Sequence, residues 1–233
     1  MEFFVSVRLA YNHDMITPTY TYELKLLKDY RFIAGIDEVG RGPLAGPIVA
    51  AVVILKPEKV GINRSKSKWW AGVRDSKTLS ADQRSSLVDF IKENSYDFGI
   101  GQATNGEIDE LNIHYASLLA MKRAVENLAL APDILFIDGK FGIPHSKFRI
   151  QTIIDGDAHV LSIAAASVLA KVYRDDLMIK LSEKFSQFGF ESHKGYDTAF
   201  HRKKLLFQGP CEIHRMTFEA VKNVMNERFY KML

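Results

Sequence analysis

The 233-residue chain is 47% hydrophobic and 25% charged, the balance of an ordinary globular protein, which excludes a disordered, collagenous or membrane-embedded chain. Its formal net charge of +3 names no partner, although residues 193–233 carry a net +4 and everything before them sums to −1. A single cysteine, Cys211, excludes an internal disulfide and a cysteine-rich zinc site, and fits a reducing, cytoplasmic compartment.

Phe32–Asp37 and Leu44–Leu55, joined through the turn Gly40-Arg41-Gly42-Pro43, predict two adjacent strands in a hairpin. Lys56–Lys77 is polar and basic ahead of Trp69-Trp70 and reads as a loop or lid. Ser80-Ala81-Asp82-Gln83 has capping-box spacing, and Leu87, Phe90 and Ile91 continue it as a helix to about Asn94. Tyr96–Ala103 is a third strand, after which the helical period of Ile108, Leu111, Tyr115, Leu118, Leu119 and Val125 predicts a longer helix from Asn105. Ile134–Asp138 and Phe148–Ile154 are two further short strands, each ending at an Asp-Gly turn. Ala158 to about Phe185 contains no Gly or Pro and predicts the longest helix. Gly189–Gly195 reads as a loop, and Thr198–Leu206 and Thr217–Lys231 as helices separated by Gly209-Pro210. This order predicts an α/β core with a helical C-terminal appendage. The longest apolar runs, Ile48–Leu55 and Ile163–Ala170, fall short of the roughly 18 residues that span a bilayer, and the N-terminus has no basic, cleavable leader, so neither membrane insertion nor export is expected.

Asp37, Glu38, Asp138 and Asp157 all sit at a strand end or just before a helix. Strand ends in an open α/β sheet converge on one rim, where four carboxylates repel one another and raise one another's pKa unless cations neutralise them. Mg²⁺ prefers such hard oxygen ligands, and two such ions balance four carboxylates, the arrangement of two-metal phosphodiester hydrolysis. The structural alternative for each acid is a turn or an N-cap. For the adjacent pair Asp37-Glu38 to serve one site, the backbone must turn at Glu38.

Ile33-Ala34-Gly35-Ile36-Asp37-Glu38-Val39-Gly40-Arg41-Gly42-Pro43 resembles the opening signature of the ribonuclease HII family. In that family's order follow Asp75-Ser76-Lys77-Thr78-Leu79-Ser80, Ile137-Asp138-Gly139, Gly156-Asp157-Ala158, Ile163–Asp175, His193-Lys194-Gly195-Tyr196 and Gly209–Arg215, so the resemblance covers roughly Tyr30 to Phe218. Ribonuclease HIII is a poorer match, because it carries an extra N-terminal domain and lacks the Gly-Arg-Gly form. The resemblance implies an RNase H-like fold, a mixed central sheet flanked by helices, with a catalytic domain over 1–190 and a basic, helical, substrate-binding appendage over 191–233. It implies hydrolysis of the RNA strand of an RNA–DNA hybrid, and incision 5′ to a lone ribonucleotide in duplex DNA, by a monomer without an obligate protein partner. Asp37, Glu38, Asp138 and Asp157 take the positions of the ligands for Mg²⁺ or Mn²⁺. Gly40, Arg41 and Gly42 match the segment that meets the ribonucleotide, and Tyr196 the tyrosine at the RNA-to-DNA junction.

Asp197 departs from the family's usual Gly after that tyrosine, and the Lys56–Arg74 and Met1–Asp14 segments have no assigned role. Lys77 is either a phosphate contact or a solvated partner of Asp75. Lys194, Arg202 and Lys203, with Lys204 and Arg215, are expected to meet DNA phosphates. Arg174 and Asp175 follow Lys171 at helical spacing and are expected to form a structural ion pair, the alternative being residues that support the metal ligands from behind. The alternative functions are an RNase H-like nuclease indifferent to the 2′-hydroxyl, such as a DNA resolvase, and a non-catalytic hybrid-binding module.

Overall fold

The computed structural model describes residues 17–60, 72–73 and 80–232. Its centre is a five-stranded sheet of β1 (Ile33–Val39), β2 (Ile48–Leu55), β3 (Ser95–Ala103), β4 (Ile134–Asp138) and β5 (Arg149–Ile153), in the order β3-β2-β1-β4-β5. β1, β2 and β3 are antiparallel neighbours, as the predicted hairpin requires, while β4 and β5 run parallel to β1, which makes the sheet mixed.

The eight residues of β2 are all buried and alternate between two layers. Val49, Ala51, Val53 and Leu55 pack with Ala164, Ala165, Val168 and Leu169 of α5 (Leu161–Lys184), as the run of alanines there predicts. Ile48, Ala50, Val52 and Ile54 pack with Ile108, Ala116, Ala120 and Met121 of α3 (Asn105–Glu126). A strand covered on both faces loses the polar alternation of an exposed one, and each Val or Ile so buried contributes roughly 1.5–3 kcal/mol. Gly35 sets the spacing of β1 from α5, because a Cβ there would stand 2.2 Å from the Ser162 carbonyl carbon and 2.4 Å from the Ile163 nitrogen.

The capping boxes of α2 (Ala81–Glu93) and α3 are closed, by Ser80 with Gln83 and by Thr104 with Glu107. Two expected continuous helices are interrupted. In α3, Asn112 adopts φ 67° and ψ 165°, and its side-chain oxygen accepts from the amides of His114 (2.9 Å) and Tyr115 (3.3 Å), capping the second half of the helix. The helix expected from Ala158 is divided into α4 (Gly156–His159) and α5, with Val160 extended between them. The Thr19 amide donates to the His159 carbonyl, and the Thr19 carbonyl accepts from Leu161, so an N-terminal strand bridge takes over hydrogen bonds that a helix would have made. The next element, α1 (Thr21–Leu26), sends the Glu23 carboxylate to the Ser162 amide at 2.9 Å, at the N-terminus of α5.

The segment Gly189–Gly195, expected as a loop, contains one helical turn, α6 (Phe190–His193), ahead of α7 (Ala199–Gln208) and α8 (Glu219–Met232). These helices pack on the turn after β1: Leu44 joins Leu205, Val221 and Val224, and Ala45 joins Met178, Phe188, Phe190 and Ile213. Among the described residues no helix is long and apolar enough to cross a membrane.

Candidate active site

The parallel pairing of β1 with β4 matches Ile36 to Ile137, so Asp37 follows in β1 beside Asp138, the last residue of β4, on strands about 5 Å apart. Asp138 Oδ1 accepts from the Gly156 amide at 2.7 Å, which ties the turn carrying Asp157 to the end of β4. Asp37 and Asp157 are buried, at 6% and 8% exposure. Burial pushes the Asp37 carboxyl well above the ordinary carboxylate range, and the charges of Glu38, Asp138 and Asp157 push it further, while Ser167 of α5 opposes them with a hydrogen bond. The four acids therefore share one electrostatic site. Among the described residues no three His, Cys, Asp or Glu side chains close into a ready-made metal cage.

β1 continues through Val39, so the backbone does not turn at Glu38 as the sequence reading required, and Asp37 and Glu38 leave the strand on opposite faces. Glu38 Oε1 pairs with Arg41 Nη1 at 3.1 Å, and the same nitrogen donates to Ser117 Oγ of α3 at 3.1 Å. Burial raises the Glu38 pKa and Asp138 adds to it, while Arg41 lowers it. The turn comes at Gly40, whose φ of +98° favours glycine and where a Cβ would meet Arg174 Nε at 2.3 Å.

Two buried arginines build this turn, and neither does what its charge suggested. Arg215, expected at a DNA phosphate, is fully buried and donates to the carbonyls of Gly46 (3.0 Å), Arg41 (3.0 Å) and Gly40 (2.6 Å). Arg174, expected in an ion pair, is equally buried and donates to the carbonyls of Pro47 (3.0 Å), Lys194 (3.0 Å) and Ala45 (3.2 Å). Asp175 pairs with Lys171 at 2.7 Å, as the helical spacing predicts, and with Arg84 at 3.6 Å. Burial lowers the Arg215 pKa to about 9, with Arg174 contributing. Hydrophobic periodicity carries no signal for either residue, since an arginine reads as exposed unless its backbone partners are known.

Tyr196 is 40% exposed, its ring 5.8 Å from Lys171 Nζ and 5.9 Å from the Arg174 guanidinium carbon. It lines a groove of about 470 Å³ with Arg84, Lys171, Asp175, His193 and Lys194. The Leu44 amide donates to the Gly195 carbonyl at 2.8 Å, so the segment carrying Tyr196 and the Gly40–Pro47 turn form one unit. Asp197, the departure beside Tyr196, is held by Arg202 through two contacts of 2.5 Å, which lower the carboxyl's pKa. Lys194 Nζ donates to the Glu191 carbonyl, Lys204 lies 5.3 Å over the Phe200 ring, and Lys203 is exposed. Lys77 and the Trp69-Trp70 pair lie outside the described residues.

The family model described as Ribonuclease HII matches residues 34–221. A ribonuclease HII of Caldicellulosiruptor bescii is 44% identical over 205 residues, covering 88% of this chain and 94% of that protein. Among solved structures, the ribonuclease H2 of Pyrococcus horikoshii OT3 superposes with a TM-score of 0.70 at 25% identity, over 85% of this chain and 99% of that one. Bst-RNase HIII, solved in complex with Mn²⁺, gives a TM-score of 0.61 at 19% identity, over 84% of this chain and 70% of that one. The fold is accordingly RNase H-like, as the resemblance implied.

Proposed function

Since the chain belongs to the ribonuclease HII family, we propose that it incises 5′ to a ribonucleotide, including a lone ribonucleotide in duplex DNA, using two divalent ions at Asp37, Glu38, Asp138 and Asp157. Membership makes it a metal-dependent nuclease that hydrolyses the RNA strand of RNA–DNA hybrids. The finer reading rests on one observation: buried Asp37 stands beside Asp138 and within reach of the charges of Glu38 and Asp157, each of which pushes its carboxyl pKa up. Hard oxygen donors in that number suit Mg²⁺ or Mn²⁺. Bound there, the ions would activate a water for in-line attack and stabilise the charge developing on the phosphate and the departing 3′-oxygen, leaving 5′-phosphate and 3′-hydroxyl ends.

The chain's own residues supply position. Ser167 and the Glu38 amide, which donates to Asp37 Oδ1 at 2.7 Å, orient Asp37; the Gly156 amide orients Asp138. The Gly40–Gly42 turn, pinned by Arg215, offers backbone groups to the 2′-hydroxyl, the only sugar feature by which a lone ribonucleotide differs from its neighbours. Arg41, with a side chain 48% exposed, is placed to exchange Glu38 for a substrate phosphate. Tyr196 reads the junction, Lys77, Lys194 and Lys203 contact phosphates, and Arg202 does so when it leaves Asp197. Such an activity serves removal of misincorporated ribonucleotides.

The test is a panel of labelled substrates, an RNA–DNA hybrid, a DNA duplex with one ribonucleotide and an all-DNA duplex, each with Mg²⁺, Mn²⁺ or chelator. Metal-dependent cutting of the first two alone is expected. Comparable cutting of the all-DNA duplex would place the protein with resolvase-type nucleases, and salt-sensitive binding without cutting would make it a binding module.

A further inference from the structure

Behind Tyr196 lie two histidines, His201 and His214, exposed by 0% and 1%, that touch none of the four carboxylates by hydrogen bond. His214 Nδ1 accepts from the Cys211 amide at 2.9 Å and lies farther, 3.3 Å, from the Cys211 carbonyl, and the closer contact places a neutral ring's proton on Nε2. That nitrogen lies 3.0 Å from His201 Nε2. His201 Nδ1 lies 2.9 Å from the Tyr196 carbonyl, an acceptor only, so Nδ1 carries the His201 proton and Nε2 is free to accept from His214. The partners at the two ends thus fix both tautomers and give a chain with one direction, from the Cys211 amide through both rings to the Tyr196 carbonyl.

The surroundings suit neutral rings. Phe188 lies 4.9 Å from the His214 ring and Phe190 lies 5.4 Å from the His201 ring, both centroid to centroid. Burial lowers both histidine pKa values, that of His214 to about 4. A third ring, His193, stacks on His201 at 4.5 Å while its Nδ1 accepts from the Gly195 amide at 3.2 Å, so the residue before Tyr196 is held from the same side. The His201 amide also donates to the Thr198 hydroxyl, fixing the ring on the first turn of α7.

We infer that His201, oriented by His214, is a positioning residue for Tyr196, fixing through the tyrosine's carbonyl where its half-exposed ring meets the nucleic acid. The inference rests on the reading that Tyr196 faces the substrate. A ring on a short segment between Gly195 and a helix start needs its backbone fixed to hold a contact surface, because loss of about 1 Å of placement is costly to a productive complex. Neither residue touches substrate; both act through Tyr196.

Asparagine and glutamine separate the two ends of an imidazole, since an asparagine amide overlies Nδ1 and a glutamine amide overlies Nε2. His201→Asn keeps a donor for the Tyr196 carbonyl, whereas His201→Gln removes it at similar loss of ring packing. On the single-ribonucleotide duplex, His201→Gln is expected to raise KM about tenfold with kcat within twofold, and His201→Asn to stay within about threefold of wild type in both, equal melting temperatures accompanying the split. In the same assay Tyr196→Ala raises KM, and His201→Gln in that background adds less than twofold. Equal KM values for the two His201 variants, or a full additional rise in the double variant, would overturn the positioning role. An unchanged KM in Tyr196→Ala would overturn the reading beneath it, and with it the inference. The His214→Gln and His214→Asn pair repeats the test from the second ring should His201→Gln fail to fold: Gln keeps the donor to His201 and Asn loses it, so only Asn is expected to raise KM.

Discussion

Glu23→Gln tests how the N-terminus of α5 is held against β1. Glu23 is fully buried, and its Oε1 accepts from the Ser162 amide at 2.9 Å. Burial raises its pKa from 4.5 to about 7, against the opposing hydrogen bonds from Ser162. The folded protein therefore binds this proton more tightly than the unfolded chain. The stability contributed by the neutral carboxyl is fully present below pH 4.5, falls as pH rises and is lost by about pH 7. At about 1.4 kcal/mol per pKa unit, the whole loss is about 3 kcal/mol. Glutamine keeps an acceptor for the Ser162 amide and cannot ionise. Chemical unfolding at half-unit steps from pH 4.5 to 8 should show wild type losing stability relative to Glu23→Gln by about 1 kcal/mol per pH unit, with no further divergence above pH 7.5. A difference between the two proteins that does not vary with pH would refute the reasoning.

Three further outcomes are expected. Gly35→Ala places a methyl 2.2 Å from the Ser162 backbone, so β1 and α5 must part; a stability loss of about 1–3 kcal/mol and reduced turnover should appear in unfolding and cleavage assays. Arg215→Met leaves the carbonyls of Gly40, Arg41 and Gly46 without their donors and should cost about 2–4 kcal/mol, measured by chemical unfolding. Asp197→Asn frees Arg202 for phosphate, so affinity for duplex substrate should rise at low salt, with a salt dependence steeper by about one counterion in a fluorescence titration.

What was legible in the sequence follows from what leaves a local trace. The strand β2, the capping box at Ser80 and the helix α7 obey short-range rules, and their boundaries fall within a few residues of expectation. Asp37 and Asp138 could be paired because each ends an apolar run, and parallel strands bring such ends together. The break at Val160 left no trace, since neither Gly nor Pro marks it and its cause is the distant Thr19. The kink at Asn112 was equally hidden, because the apolar period runs through it. Arg174 and Arg215 were misread because their partners are backbone carbonyls, and although His201 and His214 are structural, as one of their two expected roles has it, their pairing with each other left no trace, since no residue pattern encodes such partners. The opposite directions of Asp37 and Glu38 were expected from strand geometry, but the turn that was to reconcile them comes two residues later, at Gly40.

The most direct measurement is incision of a duplex containing one ribonucleotide, mapped to the nucleotide, for wild type and Asp138→Asn with Mg²⁺ or Mn²⁺ and with chelator. Removing one carboxylate from the shared site should abolish metal-dependent cutting at the 5′ side of the ribonucleotide while duplex binding survives, since the basic residues proposed to meet phosphates are untouched. Near-normal turnover by Asp138→Asn, or wild-type cutting that persists in chelator, would contradict a carboxylate-held metal site as the source of the activity.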